Sequence, residues 1–152
     1  MPMKNKLASA AIALWLVTVA ALGYLFVRGW TSETTDKRTA VHLAPGERDL
    51  VLGEMRQMLY SVHRFVTGLS AGDAKIMEEA ARASGVTTAA DVNPIIMAKL
   101  PLHFRRQGMS VHRDFDALAD TIAKGADQAT VLREFIGITA RCVGCHTSYR
   151  LP

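Results

Sequence analysis

Both cysteines of the 152-residue chain lie in one pentapeptide, Cys142-Val143-Gly144-Cys145-His146. Two thiols and an imidazole at C-x-x-C-H spacing form the attachment signature of a c-type haem. The spacing has a physical reason. On a helix, positions 142, 145 and 146 share a face, so two sulfurs and a ring nitrogen converge on one macrocycle. Each S–H adds across one porphyrin vinyl group to make a thioether, and His146 supplies the proximal nitrogen to the iron. Three other chemistries fit less of the pattern. A zinc site needs about four ligands, and no second cysteine pair exists. A thioredoxin-like dithiol expects a βαβ setting, and no strand alternation is visible. A structural disulfide would leave the adjacent histidine unexplained.

The elements that must position this motif are helices. From Pro45 onward the apolar residues recur with a 3.6-residue period. Helix A spans about 46–69, with Val51, Met55, Met58, Val62, Phe65 and Leu69 on one seam. Ser70 to Asp73 is a break with capping residues. A shorter helix B carries Ile76, Met77, Ala80, Ala81 and Ala83 and stops at Gly85. Residues 87–93 read as a loop, and Asn93-Pro94 starts one or two helical turns that end near Pro101. Helix C begins between 101 and 109, carries Val111, Phe115, Leu118 and Ile122, and stops at Gly125. Asp127 caps helix D, whose seam is Val131, Phe135, Ile138, Cys142, Cys145 and Tyr149. The short A–B and C–D connections predict antiparallel neighbours. The expected fold is all-α, an antiparallel four-helix bundle over residues 45–152.

Residues 1–28 are of a different kind. Leu7 to Val27 is 21 residues without a charge, and a helix of about 20 apolar residues crosses the hydrocarbon core. Signal-peptide h-regions are shorter, about 7–15 residues, so an uncleaved signal-anchor in the bilayer through residues 7–27 is the favoured reading. Lys4 and Lys6 before the run favour an inside N-terminus and an exported remainder. Residues 29–44, rich in threonine and mixed charge, read as a tether. Charge follows this division. The formal charge is +4, but residues 1–44 hold 5 basic and 2 acidic side chains while residues 45–152 hold 13 and 12. The high pI of about 9.3 therefore belongs to the anchor's flanks and does not indicate nucleic acid.

The position of the motif narrows the reading. It lies on the last helix, and the tail Cys142-Val-Gly-Cys145-His146-Thr-Ser-Tyr149-Arg150 resembles the ending of the class II cytochromes c, the cytochrome c′ and cytochrome c556 family. The resemblance covers about residues 46–152. It implies one covalently bound haem c and a choice on the distal side of the iron. Cytochromes c′ leave that side open and bind NO or CO. The c556-like members place a helix A methionine there and carry electrons.

By that resemblance Met55 is the expected distal iron ligand, with Met58, an open site, or Met109, His112 or His63 as the alternatives. Arg150 is expected to hold a haem propionate, a solvated terminal arginine being the plain alternative. Tyr149, Phe135, Ile138, Met58, Leu59 and Val62 are expected to line the pocket. Asp114, Asp116 and Asp120 read as a solvated face, and no substrate-processing set is present, so the chain reads as non-enzymatic. The expected function is electron transfer by a membrane-anchored mono-haem cytochrome. It would stand on the periplasmic side of the inner membrane and exchange electrons with membrane redox proteins. The alternatives are a gas-binding cytochrome c′-like protein and a haem subunit of a membrane redox complex. Family members of the c′ type pair through helices A and B, which makes a homodimer a further expectation.

Overall fold

The computed structural model describes residues 3–89 and 93–152, with the side chains of residues 3–5 left out. The chain is mostly helical, of the all-α class. Helix α1 runs over Met3–Arg28, α2 over Pro45–Ala71, α3 over Ala74–Arg82, α4 over Val86–Ala89, α5 over Pro94–Lys99, α6 over Leu102–Ala123 and α7 over Gln128–Ser148. Three short strands accompany them: β1 Thr31–Glu33, β2 Thr39–Val41 and β3 Tyr149–Arg150.

Local chemistry sets the helix ends. Pro45 opens α2, where its missing N–H costs nothing, and Glu47 accepts from the Ala44 N–H at 2.8 Å. Gly72, at φ +67°, closes the same helix in the left-handed conformation. Asp73, Asn93 and Asp127 cap α3, α5 and α7 through side-chain oxygens that accept from Ile76, Ile95 and Thr130 N–H groups. Of the expected loop 87–93, residues 87–89 belong to the single helical turn Val86–Ala89, and residues 90–92 lie outside the described residues.

Helix α2 folds back onto α3, α3 packs on α6, and α6 on α7. Phe65 of α2 meets Phe135 of α7 in a stack with centroids 4.2 Å apart. These rings join Met77, Phe115, Leu118, Ile122 and Val131 in the main core. A second cluster of Val41, Val51, Ile96, Leu100 and Phe104 lies at the other end of the helices.

Two features differ from the sequence reading. The segment read as a tether is a hairpin in which Thr31 pairs with Val41 and Glu33 with Thr39. Strand β2 also pairs in parallel with β3, Thr39 to Tyr149 and Ala40 to Arg150. Ala40 and Val41, on opposite faces of β2, are both fully buried. Strands of three residues are too short for an alternation to show, and the partner strand lies more than a hundred positions away. The aspartates of α6 are partly exposed but bonded. Asp120 holds Arg82 at 2.6 Å, Asp114 holds Arg141 at 3.0 Å, and Asp116 accepts from the Val86 N–H at 2.9 Å.

The N-terminal helix is exposed throughout its apolar stretch, and Lys6–Arg28 is long and apolar enough to cross a membrane.

Candidate functional site

The C-x-x-C-H motif occupies the last two turns of α7. Cys142 and Cys145 are half-buried and His146 is exposed. Both cysteines are free thiols, and partial burial pushes both upward from the ordinary thiol range.

Two adjoining cavities open at this end of the helices. One, of about 280 Å³, has Arg38, Leu52, Tyr149, Arg150 and Leu151 in its wall. The other, of about 120 Å³, has Glu54, Met58, Val111, His112 and Cys142. Met55, Phe104, Cys145 and His146 line both. The space is bounded by α2, by the first half of α6, and by the end of α7.

Helix α7 is fixed against α6 next to the cysteines. Gln107 donates to the Arg141 carbonyl at 2.9 Å, and the Arg141 guanidinium reaches Ser110 Oγ and Asp114. The Tyr149 N–H caps the helix on the Cys145 carbonyl. The Tyr149 ring stands edge-on to Phe104 at 5.3 Å, and its hydroxyl meets His103 Nδ1 at 3.3 Å. Desolvation pushes that phenol upward.

The mouth of the larger cavity is cationic. Arg38 from the hairpin grips Asp36 through two nitrogens at 2.9 and 2.6 Å and approaches the His146 carbonyl at 3.5 Å. Arg150 approaches the same carboxylate at 3.6 Å. Hydrogen bonds from Arg38 and from Thr34 hold the Asp36 carboxyl well below the usual carboxylate range.

The smaller cavity has a polar wall. His112 is 6% exposed, and its Nδ1 lies 2.8 Å from the Ser84 carbonyl oxygen. A carbonyl can only accept, so His112 Nδ1 donates to it. Half-buried Glu54 is pushed upward by desolvation, with His112 acting in the opposite direction.

The sequence-predicted residues divide in two. Cys142, Cys145, His146, Met55, Met58, Tyr149 and Arg150 all line the cavities. Phe135, Ile138 and Val62 belong to the main core instead. Leu59 points to solvent at 68% exposure, because it lies one position off the α2 seam. His63 is exposed, and Met109 is half-buried and absent from both cavity walls.

Sequence reasoning missed Arg38, Phe104, Glu54 and the burial of His112. Phe104 had a signal, since it lies seven positions before Val111 and extends the helix C seam. Arg38 had none, because only the β2–β3 pairing brings it to α7.

No family model, no curated protein and no solved structure matches this chain.

Proposed function

We propose that this protein is a membrane-anchored mono-haem c-type cytochrome that transfers electrons. In this reading α2, α3, α6 and α7 form a cytochrome c′-like four-helix bundle. The observation that carries it is the convergence of Cys142, Cys145 and His146 with Met55 on one space between α2, α6 and α7. The donor set suits a macrocycle: two thiols for its vinyl groups, one imidazole for its metal, apolar walls, and arginines at the mouth for its carboxylates. Among the described residues no three His, Cys, Asp or Glu side chains group as they would around a bare metal ion.

Haem supplies the one-electron chemistry, and the chain supplies its holding. Cys142 and Cys145 fix the cofactor to α7, and His146 provides the proximal nitrogen. Arg38 and Arg150 face the mouth, where guanidinium groups bind carboxylates by charge-assisted hydrogen bonds. Met55 is the distal ligand in this reading. Ligation by Met55 and His146 would raise the reduction potential of a bound haem, which suits an electron carrier. His112 is the second reading for the distal position. A histidine that lines a cavity and donates one ring N–H to a backbone carbonyl has the outer partner that metal-ligating histidines have. Helix α1 anchors the domain on the periplasmic side of the inner membrane, where membrane redox proteins are its donor and acceptor.

The absorption spectrum of the oxidised protein tests the ligand. The expected result is a low-spin spectrum with a thioether-to-iron charge-transfer band that disappears in Met55→Leu. A low-spin spectrum without that band, changed by His112→Ala, assigns the position to His112. A high-spin spectrum with avid CO binding replaces the carrier by a gas-binding protein.

A further inference from the structure

The chain leaves α1 under tight constraint. Gly29 is buried at φ +66°, and a β-carbon there would lie 2.4 Å from the Lys99 carbonyl oxygen and 2.7 Å from the Pro101 nitrogen. Only glycine allows this approach. The Trp30 N–H donates to the same Lys99 oxygen at 2.8 Å, and the His42 N–H donates to the Trp30 carbonyl at 2.8 Å. Arg105, in the first turn of α6, donates to the Phe26 carbonyl at 2.7 Å and lies 4.2 Å above the Phe26 ring. The Lys99 ammonium is 5.3 Å from the Trp30 ring and pairs with Glu47 at 2.7 Å.

These bonds set α5 beside the last turns of α1. Ala98 shares an apolar groove with Val19, Leu22, Phe26 and Trp30. At 1.5 Å per residue, Val19 lies about 13 Å along α1 from Arg28. The groove thus runs well into the apolar stretch. Helix α5 has two apolar faces. Ile96 is 4% exposed and packs with Leu100 in the core, whereas Ile95, on the face it shares with Ala98, is 63% exposed. Nothing within the described chain covers Ile95, and the groove is continuous with the membrane helix.

We propose that α5 is a second membrane-contacting element: a short interfacial helix that lies at the headgroup–acyl boundary of a phospholipid bilayer beside α1. Ile95 and Ala98 face the acyl chains. Trp30 sits at headgroup level, where tryptophan is enriched. Exposed Arg28, at the end of α1 beside the patch, can meet lipid phosphates. The inference rests on the anchor reading of α1 and is independent of haem. It holds the cavity wall at the bilayer, because Phe104 adjoins the Arg105 that grips α1.

The test is photolabelling of the full-length protein in phosphatidylcholine–phosphatidylglycerol vesicles containing a phospholipid with an acyl-chain diazirine, read by peptide mass. The expected label falls on residues 7–28 and on 94–100, and spares 132–143, where Ile136 and Val143 are about as open to solvent as Ile95. Ile95→Asp should lose the label on 94–100 and keep it on 7–28. Label on 7–28 alone overturns the proposal and leaves the anchor standing. Label spread equally over 132–143 overturns it as non-specific contact. The absence of label from 7–28 overturns the anchor and this proposal together.

Discussion

Helix α7 meets its neighbours in two ways. In its first half Val131, Phe135 and Ile138, each more than nine-tenths buried, fill the space against Phe65, Phe115 and Leu118. In its second half Cys142, Cys145 and, just past its end, Tyr149 continue the same period but are only half-buried, and two cavities open among them, Met55 and Phe104. The closed end is apolar and dense. The open end admits a buried histidine, a half-buried glutamate and two arginines at its rim. A helical seam that keeps its period while its packing loosens leaves room beside it. Periodicity reports which face a residue is on, and side-chain volume decides whether that face is filled.

Mutations at the two ends should separate attachment from stability. The largest effect belongs to the open end: Cys142→Ala with Cys145→Ala should abolish covalent haem completely and leave the helical circular dichroism in place. At the closed end, Phe135→Ala removes a stacked, buried ring and should cost about 3–5 kcal/mol in denaturant unfolding. The folded fraction should keep the parent haem spectrum.

Met55→Leu conserves volume and should cost less than about 1.5 kcal/mol. It should still lower the reduction potential and remove the thioether band. Glu54→Gln sharpens the contrast further. Desolvation raises the Glu54 pKa, so its charge opposes folding increasingly as pH rises through the carboxylate range. The variant should melt higher than the parent at neutral pH and equal it in acid.

The smallest effect concerns the rim. The depressed Asp36 carboxyl supports the hairpin fully above the ordinary carboxylate pKa, and that support is lost progressively as pH falls from there towards its own lower titration. Protection of the Ala40 and Val41 amides should weaken as pH falls below the ordinary carboxylate pKa, and Asp36→Asn should reduce it at neutral pH, with the difference from the parent shrinking in acid.

Much of this was legible in the chain. The seams of α2, α6 and α7, the caps Asp73, Asn93 and Asp127, and the C-x-x-C-H motif are local patterns of three to four residues. Met55 and Met58 were legible because the α2 seam carries them to the face that α7 meets. The placement of Phe135 and Ile138 in the core, away from the cavities, was not, since a period says nothing of depth along a helix. The hairpin and Arg38 were hidden because a parallel pairing between residues 39–40 and 149–150 leaves no local trace. The burial of His112 depends on a carbonyl at the end of α3, twenty-eight positions earlier.

The central claim is that the open end holds one covalent haem. Its most direct test is expression of the full chain in a host with haem-ligation machinery, followed by denaturing electrophoresis with haem staining and a pyridine haemochrome assay. The prediction is one haem per chain that survives denaturation, with a c-type spectrum, and that is absent from the double cysteine variant. A folded protein that retains no haem after denaturation would contradict it.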